Sequence, residues 1–282
     1  MDKNKITEAL LKTGVGQANQ NGWHLHHPIV ETHFHLDYLK QANPKEIMTF
    51  AHSLGITKAI TISVSASNIA EVLPLALMHE NLFTTQGIHP HHASEWNEQL
   101  EIIYKQNATH PKVVAIGEIG LDYFYNHSPT EVQKKVFRRQ LELSIEFDLP
   151  IIVHSREADS DTIDILGEYM PHLSRKGVIH SFTSEMPLLE FALKHEFYVG
   201  FNGIITFKSA NNVRHSLAST PIEKILLETD APFLTPMPFR GKENAPFYLP
   251  FIAESMSQQK KIEAQTLLAQ IYKNTHNLFY KL

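Results

Sequence analysis

From Pro28 onward the chain alternates short apolar runs with amphipathic stretches, and this alternation restricts the fold more than anything else in it. The runs are Ile29–Thr32, Ala59–Val64, Leu82–Thr85, Val113–Ile116, Ile151–Val153, Gly177–Ile179, Tyr198–Phe201 and Ile225–Leu227. They are short and mostly β-branched or apolar, so they read as strands. Helices are expected between them, over Pro44–Leu54, Asn68–Met78, Glu95–Gln106, Thr130–Phe147, Asp161–Tyr169, Met186–Lys194 and Asn211–Leu217. Ile262–Tyr280 closes the series. The clearest is Thr130–Phe147, where Val132, Val136, Phe137, Leu141, Leu143 and Ile145 recur near the helical period. Strands separated by helices pair in parallel through right-handed crossovers. Eight such units make an α/β fold of the single (β/α)8 TIM-barrel type. A doubly wound open sheet is the runner-up, but it usually has fewer strands and a glycine-rich nucleotide turn. Gly117-Glu118-Ile119-Gly120 does not supply that turn. The 282 residues suit one barrel. The expected division is an N-terminal extension over residues 1–28 and a barrel over 29–282. The extension would hold a short helix near Ile6–Leu11 and a loop over Gly14–Gly22.

Composition narrows the function. A net charge of −5 gives no global basic field, so nucleic acid would be met locally, at a site, rather than by wrapping. The absence of cysteine excludes disulfides and thiolate metal sites. No apolar run approaches the length of a membrane span. Met1–Lys12 is charged and lacks a signal-peptide core, so a cytoplasmic protein with no membrane partner is expected. Nothing in the chain points to an obligate protein partner.

In a barrel, chemistry gathers at the carboxyl ends of the strands. His33 and His35 end the first run, and residues i and i+2 of a strand face the same way. Glu118 follows the fourth run, His154 the fifth, His180 the sixth and Asp230 the eighth. Any one of these could be a hydrogen-bonded core histidine or a turn cap. Six ligand-capable side chains on one rim are harder to dismiss. Four imidazoles and two carboxylates exceed what one tetrahedral ion needs, and they suit two ions with open positions. Nitrogen and carboxylate ligands fit Zn, Mn, Fe or Ni better than Mg. Two other His-x-His pairs are decoys on this reading: His24-Leu25-His26 lacks a preceding apolar run, and His89-Pro90-His91 is interrupted by proline.

Seven ordered motifs then bear on identity. They are His33-x-His35, Gly87-Ile88-His89-Pro90, Gly117-Glu118-Ile119-Gly120-Leu121-Asp122, His154-Ser155-Arg156-Glu157, His180-Ser181-Phe182, Thr206-Phe207-Lys208 and Glu228-Thr229-Asp230-Ala231-Pro232. Together, from about Val30 to the C-terminus, the chain resembles the TatD family of metal-dependent deoxyribonucleases. The resemblance implies an amidohydrolase-like barrel, two divalent ions and hydrolysis of DNA phosphodiesters. It implies His33, His35 and Asp230 on one ion, His154 and His180 on the other, and Glu118 bridging. The chain departs from the family in having Glu31 where Asp is usual, and Phe34 and Ser181 where Cys is frequent. In Arg240-Gly241-Lys242-Glu243-Asn244-Ala245-Pro246, Glu243 replaces an arginine in a loop expected to face substrate.

The expected reaction is attack of metal-activated water on a phosphodiester, with Asp230 as proton acceptor and Glu118 as the other candidate catalytic group. His89, Arg156 and Arg240 are candidate substrate contacts, the arginines offering bidentate forks to phosphate. Arg156 could instead pair with Glu157, Asp159 or Asp161. Tyr123, Phe124 and Tyr125 could stack on a base or pack over the barrel mouth. His91 and His92 read as cap or rim residues. An exonuclease acting on single strands or ends is the leading reading. The alternatives are another hydrolase on the same centre, such as an aminoacyl-tRNA deacylase or an amidase, and a metal-binding barrel without catalysis.

Overall fold

A computed structural model describes residues 1–20 and 22–282. Ten strands are found: β1 (Gly16–Asn19), β2 (Gly22–Leu25), β3 (Ile29–Phe34), β4 (Ile56–Thr61), β5 (Leu82–Gln86), β6 (Val113–Asp122), β7 (Ile151–Arg156), β8 (Gly177–Ile179), β9 (Tyr198–Phe201) and β10 (Ile225–Leu227). β3 to β10 follow chain order in one eight-stranded sheet, with helices between them, which is the (β/α)8 class. The chain divides into two compact units.

The first unit is Met1–Ile60 with Phe201–Thr275. Its N-terminal helix, Lys3–Leu10, is capped by the Asp2 side chain and buries Ile6 and Leu10. Of Gly14–Gly22, expected as loop, Asn21 lies outside the described residues, and Gly16–Asn19 instead forms β1, which pairs antiparallel with β2. Leu25 N–H ties the hairpin to the end of helix Pro44–Ser53 by donating to Leu54 O at 3.1 Å, and Gly14 N–H reaches Glu254 Oε2 at 2.8 Å. Every residue of β3 is buried, as a strand covered on both faces requires. The segment after β10 lies against the end of β3: Asp230 N–H donates to His33 O at 2.9 Å and His35 N–H to Ala231 O at 2.7 Å. Helix Leu249–Lys260 has no counterpart among the expected elements. Its Leu249–Ala253 stretch is buried throughout, so it lacks the polar face that gives a surface helix its period.

The second unit is Thr61–Gly200 with His276–Leu282. Here β5, β6, β7, β8 and β9 pair in parallel. Helix Thr130–Phe147 matches its expected bounds and turns Val136, Phe137, Leu141 and Leu143 inward. β6 runs six residues past the expected Ile116, through Glu118 to Asp122, with a register irregularity between Ile116 and Ile119. Glu118 therefore lies within a strand. Gly120 explains why the extension is possible: a Cβ there would meet the His154 carbonyl oxygen at 2.0 Å, so only glycine lets β6 approach β7.

Candidate metal centre

In the first unit, β3 delivers His33, and His35 opens a 3-10 turn one residue past the strand end. The two rings lie 5.4 Å apart at 80°. Asp230 is brought to them by the hydrogen bonds just described, and its backbone takes a left-handed conformation with φ 59°. A non-glycine residue there costs on the order of 1 kcal/mol or more, a penalty that clusters at functional positions. Asp230 Oδ1 lies 3.8 Å from His33 Nε2 and 3.5 Å from His35 Nε2. These separations are too long for hydrogen bonds. They are close to the roughly 3.4 Å between two ligands each about 2.1 Å from a tetrahedral ion. The three residue types suit a divalent cation, and the two separations to Asp230 are those of ligands that share one.

Glu31 braces this set. Its Oε1 accepts N–H from His33 at 3.1 Å and from Thr229 at 3.0 Å, joining the ligand strand to the residue before Asp230. Burial pushes its carboxyl up to about 8, against the lowering effect of its hydrogen bonds with Thr229 and His33. Glu31 is thus mainly uncharged near neutrality.

In the second unit the donors are in direct contact. Glu118, 3% exposed, receives His180 Nε2 at 2.7 Å, His154 Nδ1 at 2.9 Å and His89 Nε2 at 3.4 Å, all on Oε1. The ligand atoms of His89, Glu118 and His154 all lie within 4.8 Å of one another. Three imidazoles around one buried carboxylate could hold a borderline divalent ion. His180 is positioned by its N–H on Val153 O at 3.0 Å, and His89 by its N–H on Val64 O at 2.8 Å. Burial holds the His89 imidazole down at about 3, although Glu118 pulls it up, so it is neutral at physiological pH.

Asp122 is a site residue that sequence reasoning does not single out. Its Oδ2 lies 3.1 Å from His154 Nε2 and 2.8 Å from His91 Nε2, and its Oδ1 accepts Tyr125 N–H at 2.9 Å. Burial alone would raise this carboxyl; the bonds from His154, His91 and Tyr125 outweigh it and hold Asp122 well below the usual carboxylate range. Burial works against protonation of His154, but its bonds to Asp122 and Glu118 win and raise it. Both ring nitrogens face carboxylate oxygen, Nδ1 toward Glu118 and Nε2 toward Asp122, an arrangement that favours the protonated ring. A carboxylate behind a ligating histidine also fixes which nitrogen faces a metal. His91, expected as a cap or rim residue, belongs to this network, whereas the His92 ring meets its neighbour Glu95 at 2.8 Å.

The candidate substrate residues divide. Arg156 pairs with none of the acids proposed for it. Asp159 accepts Ser155 Oγ and Glu185 N–H, and Asp161 pairs with Lys134 at 2.8 Å. The Arg156 Cζ instead lies over the rings of Phe124 at 4.2 Å and Tyr125 at 4.8 Å. Arg240 Cζ lies 3.7 Å from the Phe207 ring centroid. Glu243 does not simply face substrate: its Oε1 accepts backbone N–H of Lys40 and Gln41, both at 2.9 Å. The decoy His24 is on β2, where its ring meets the Asn19 side chain.

Comparison with known proteins agrees with this chemistry. The family described as TatD-related DNase matches residues 30–280. The chain is 33% identical over 252 residues to an uncharacterized metal-dependent hydrolase, YabD, of Bacillus subtilis, covering 89% of this chain and 98% of that one. It is 34% identical over 240 residues to the 3′-5′ ssDNA/RNA exonuclease TatD of Erwinia tasmaniensis, covering 83% and 92%. The crystal structure of YJJV, a TatD homolog from Escherichia coli K12, superposes with a TM-score of 0.84 at 29% identity, over 89% of this chain and 98% of that one. No described helix is long and apolar enough to cross a membrane. The chain belongs to the TatD-related DNase family and is, with it, a metal-dependent hydrolase of phosphodiester bonds.

Proposed function

We propose that this chain is a DNA exonuclease working from strand ends with two divalent ions. One would be held by His33, His35 and Asp230, the other by Glu118, His154 and His180, with His89 beside them. The bridging role that the family resemblance gives Glu118 is part of this proposal. The observation that carries it is the chemistry of the two donor sets: buried imidazoles facing carboxylate oxygen at ligand spacing in one, and gathered on Glu118 in the other. Divalent ions in such sets lower the pKa of bound water toward neutrality and neutralise phosphate oxygens.

The chain's own residues do the rest. Asp230, 15% exposed and fixed by its backbone bond to His33, accepts the proton of the attacking water. Neutral His89, whose Nδ1 accepts His91 N–H, has one donor, the Nε2–H now turned to Glu118, and would exchange that contact for substrate oxygen rather than add charge. Arg156 and Arg240 hold phosphate through N–H edges, their faces being occupied by aromatic rings. With a net charge of −5, binding rests on these few contacts, which favours ends that thread into a site over long duplex. The test is release of label from 3′-labelled single-stranded DNA by metal-loaded protein, beside a covalently closed single-stranded circle and a D-aminoacyl-tRNA. Loss of terminal label with circles intact supports the proposal. Deacylation without DNA cleavage, or equal cleavage of circles, overturns it.

A further inference from the structure

Phe124 and Tyr125 are 50% and 49% exposed, which is unusual for two adjacent large aromatic side chains. They are not loose. The loop that carries them is fastened by Tyr125 N–H on Asp122 Oδ1 at 2.9 Å and Tyr123 N–H on Arg156 O at 3.0 Å. Buried Gln133 anchors its two ends, donating to Asp122 O at 3.0 Å and Ser128 O at 2.8 Å. The two rings meet edge to face, 4.8 Å apart at 88°. Tyr125 stacks on His127, with centroids 5.7 Å apart and planes 9° apart.

Arg156 is the second, independent observation. Among the described residues its guanidinium has no carboxylate partner, because Asp159 and Asp161 are engaged elsewhere. An arginine with free N–H edges lying over one side of two half-exposed aromatic rings combines a phosphate ligand with a π surface. Arg156 is also two residues after His154 on β7, so both side chains leave the strand on the same side, with Cα atoms about 7 Å apart.

We propose that Phe124, Tyr125 and Arg156 form a platform that takes the unpaired terminal base of a single-stranded nucleic acid. The base stacks on the exposed rings while the adjoining phosphate meets the guanidinium. This rests on the nuclease reading and deepens it: the platform grips the end of a strand without reading its sequence, since every base has a π face. Duplex termini, whose bases are already stacked and paired, gain nothing from it.

The experiment compares binding of two short oligothymidylates to chelator-treated protein, one ending in 2-aminopurine and one in an abasic nucleotide. Chelation stops hydrolysis, so the binding readout is separate from catalysis. Wild type should prefer the base-bearing strand by roughly 5- to 100-fold, with quenched 2-aminopurine fluorescence. Phe124→Ala/Tyr125→Ala, which removes half-exposed rings and leaves the core intact, should bind both strands alike. Wild type that binds the two strands equally, or a double variant that keeps the preference, overturns the platform. Failure of metal-loaded wild type to cleave DNA would instead remove the nuclease reading, and the binding preference distinguishes the two failures.

Discussion

The two donor sets are built from the same residue types and held differently. His33 and His35 keep 3.8 and 3.5 Å from Asp230 Oδ1, with backbone bonds and Glu31 fixing their positions. Glu118, His154 and His180 are drawn together to 2.7–2.9 Å, with Asp122 behind His154. The first set is spaced for a cation already. The second satisfies its polar groups internally, through histidine–carboxylate contacts whose His154 is shifted toward the protonated form, and must exchange those bonds for metal. The lesson is that ligand identity does not set affinity: the cost of opening the set does. Metal should bind the first set more tightly, and binding to the second should be the more pH-dependent.

The largest effect that would break this comparison lies at Glu118. Glu118→Ala removes the acceptor shared by three histidines and should lower the rate of DNA cleavage by 10²–10³-fold or so, the scale of losing one key charge-stabilising group. Residual activity near wild type, measured by release of 3′ label, would show that the second set is not the working one. Next in size is Asp122→Asn, which should weaken metal binding by about 10- to 100-fold, through loss of the brace behind His154. In a calorimetric titration that loss should fall on the weaker of two binding phases and leave the tighter phase alone. Glu31→Ala, which strips the acceptor from two buried N–H groups, should destabilise the protein by about 1–3 kcal/mol in denaturant unfolding. Glu31→Gln keeps an acceptor and the uncharged state, so it should change stability by less than about 1 kcal/mol. The smallest effect is expected at the decoys: His24→Ala and His26→Ala should leave metal content unchanged by elemental analysis.

How legible each part is follows from the range of the interaction that makes it. His33 and His35 can be read because strand period is local. Thr130–Phe147 can be read because its buried face repeats within a few residues. Glu118 is expected after its strand rather than inside it because the apolar run stops at Ile116; Gly120 is there for the close approach of β7, which no local pattern reveals. Asp122 is invisible as a site residue because its partners His91 and His154 are 31 and 32 positions away. Glu243 misleads for the same reason, the N–H groups it accepts at Lys40 and Gln41 being 203 and 202 positions upstream. The helix Leu249–Lys260 escapes notice because its first stretch, Leu249–Ala253, is buried throughout and shows no amphipathic period.

The central claim, that each donor set holds its own ion, is tested most directly by counting metal. Protein loaded with Zn²⁺ or Mn²⁺ and passed through a desalting column would be assayed for bound metal per chain, as wild type, His33→Ala and His180→Ala. The expected result is two ions in wild type and one in each variant, with the His33→Ala protein keeping the more easily chelated ion. Fewer than two ions in wild type, or two retained by either variant, would contradict the account.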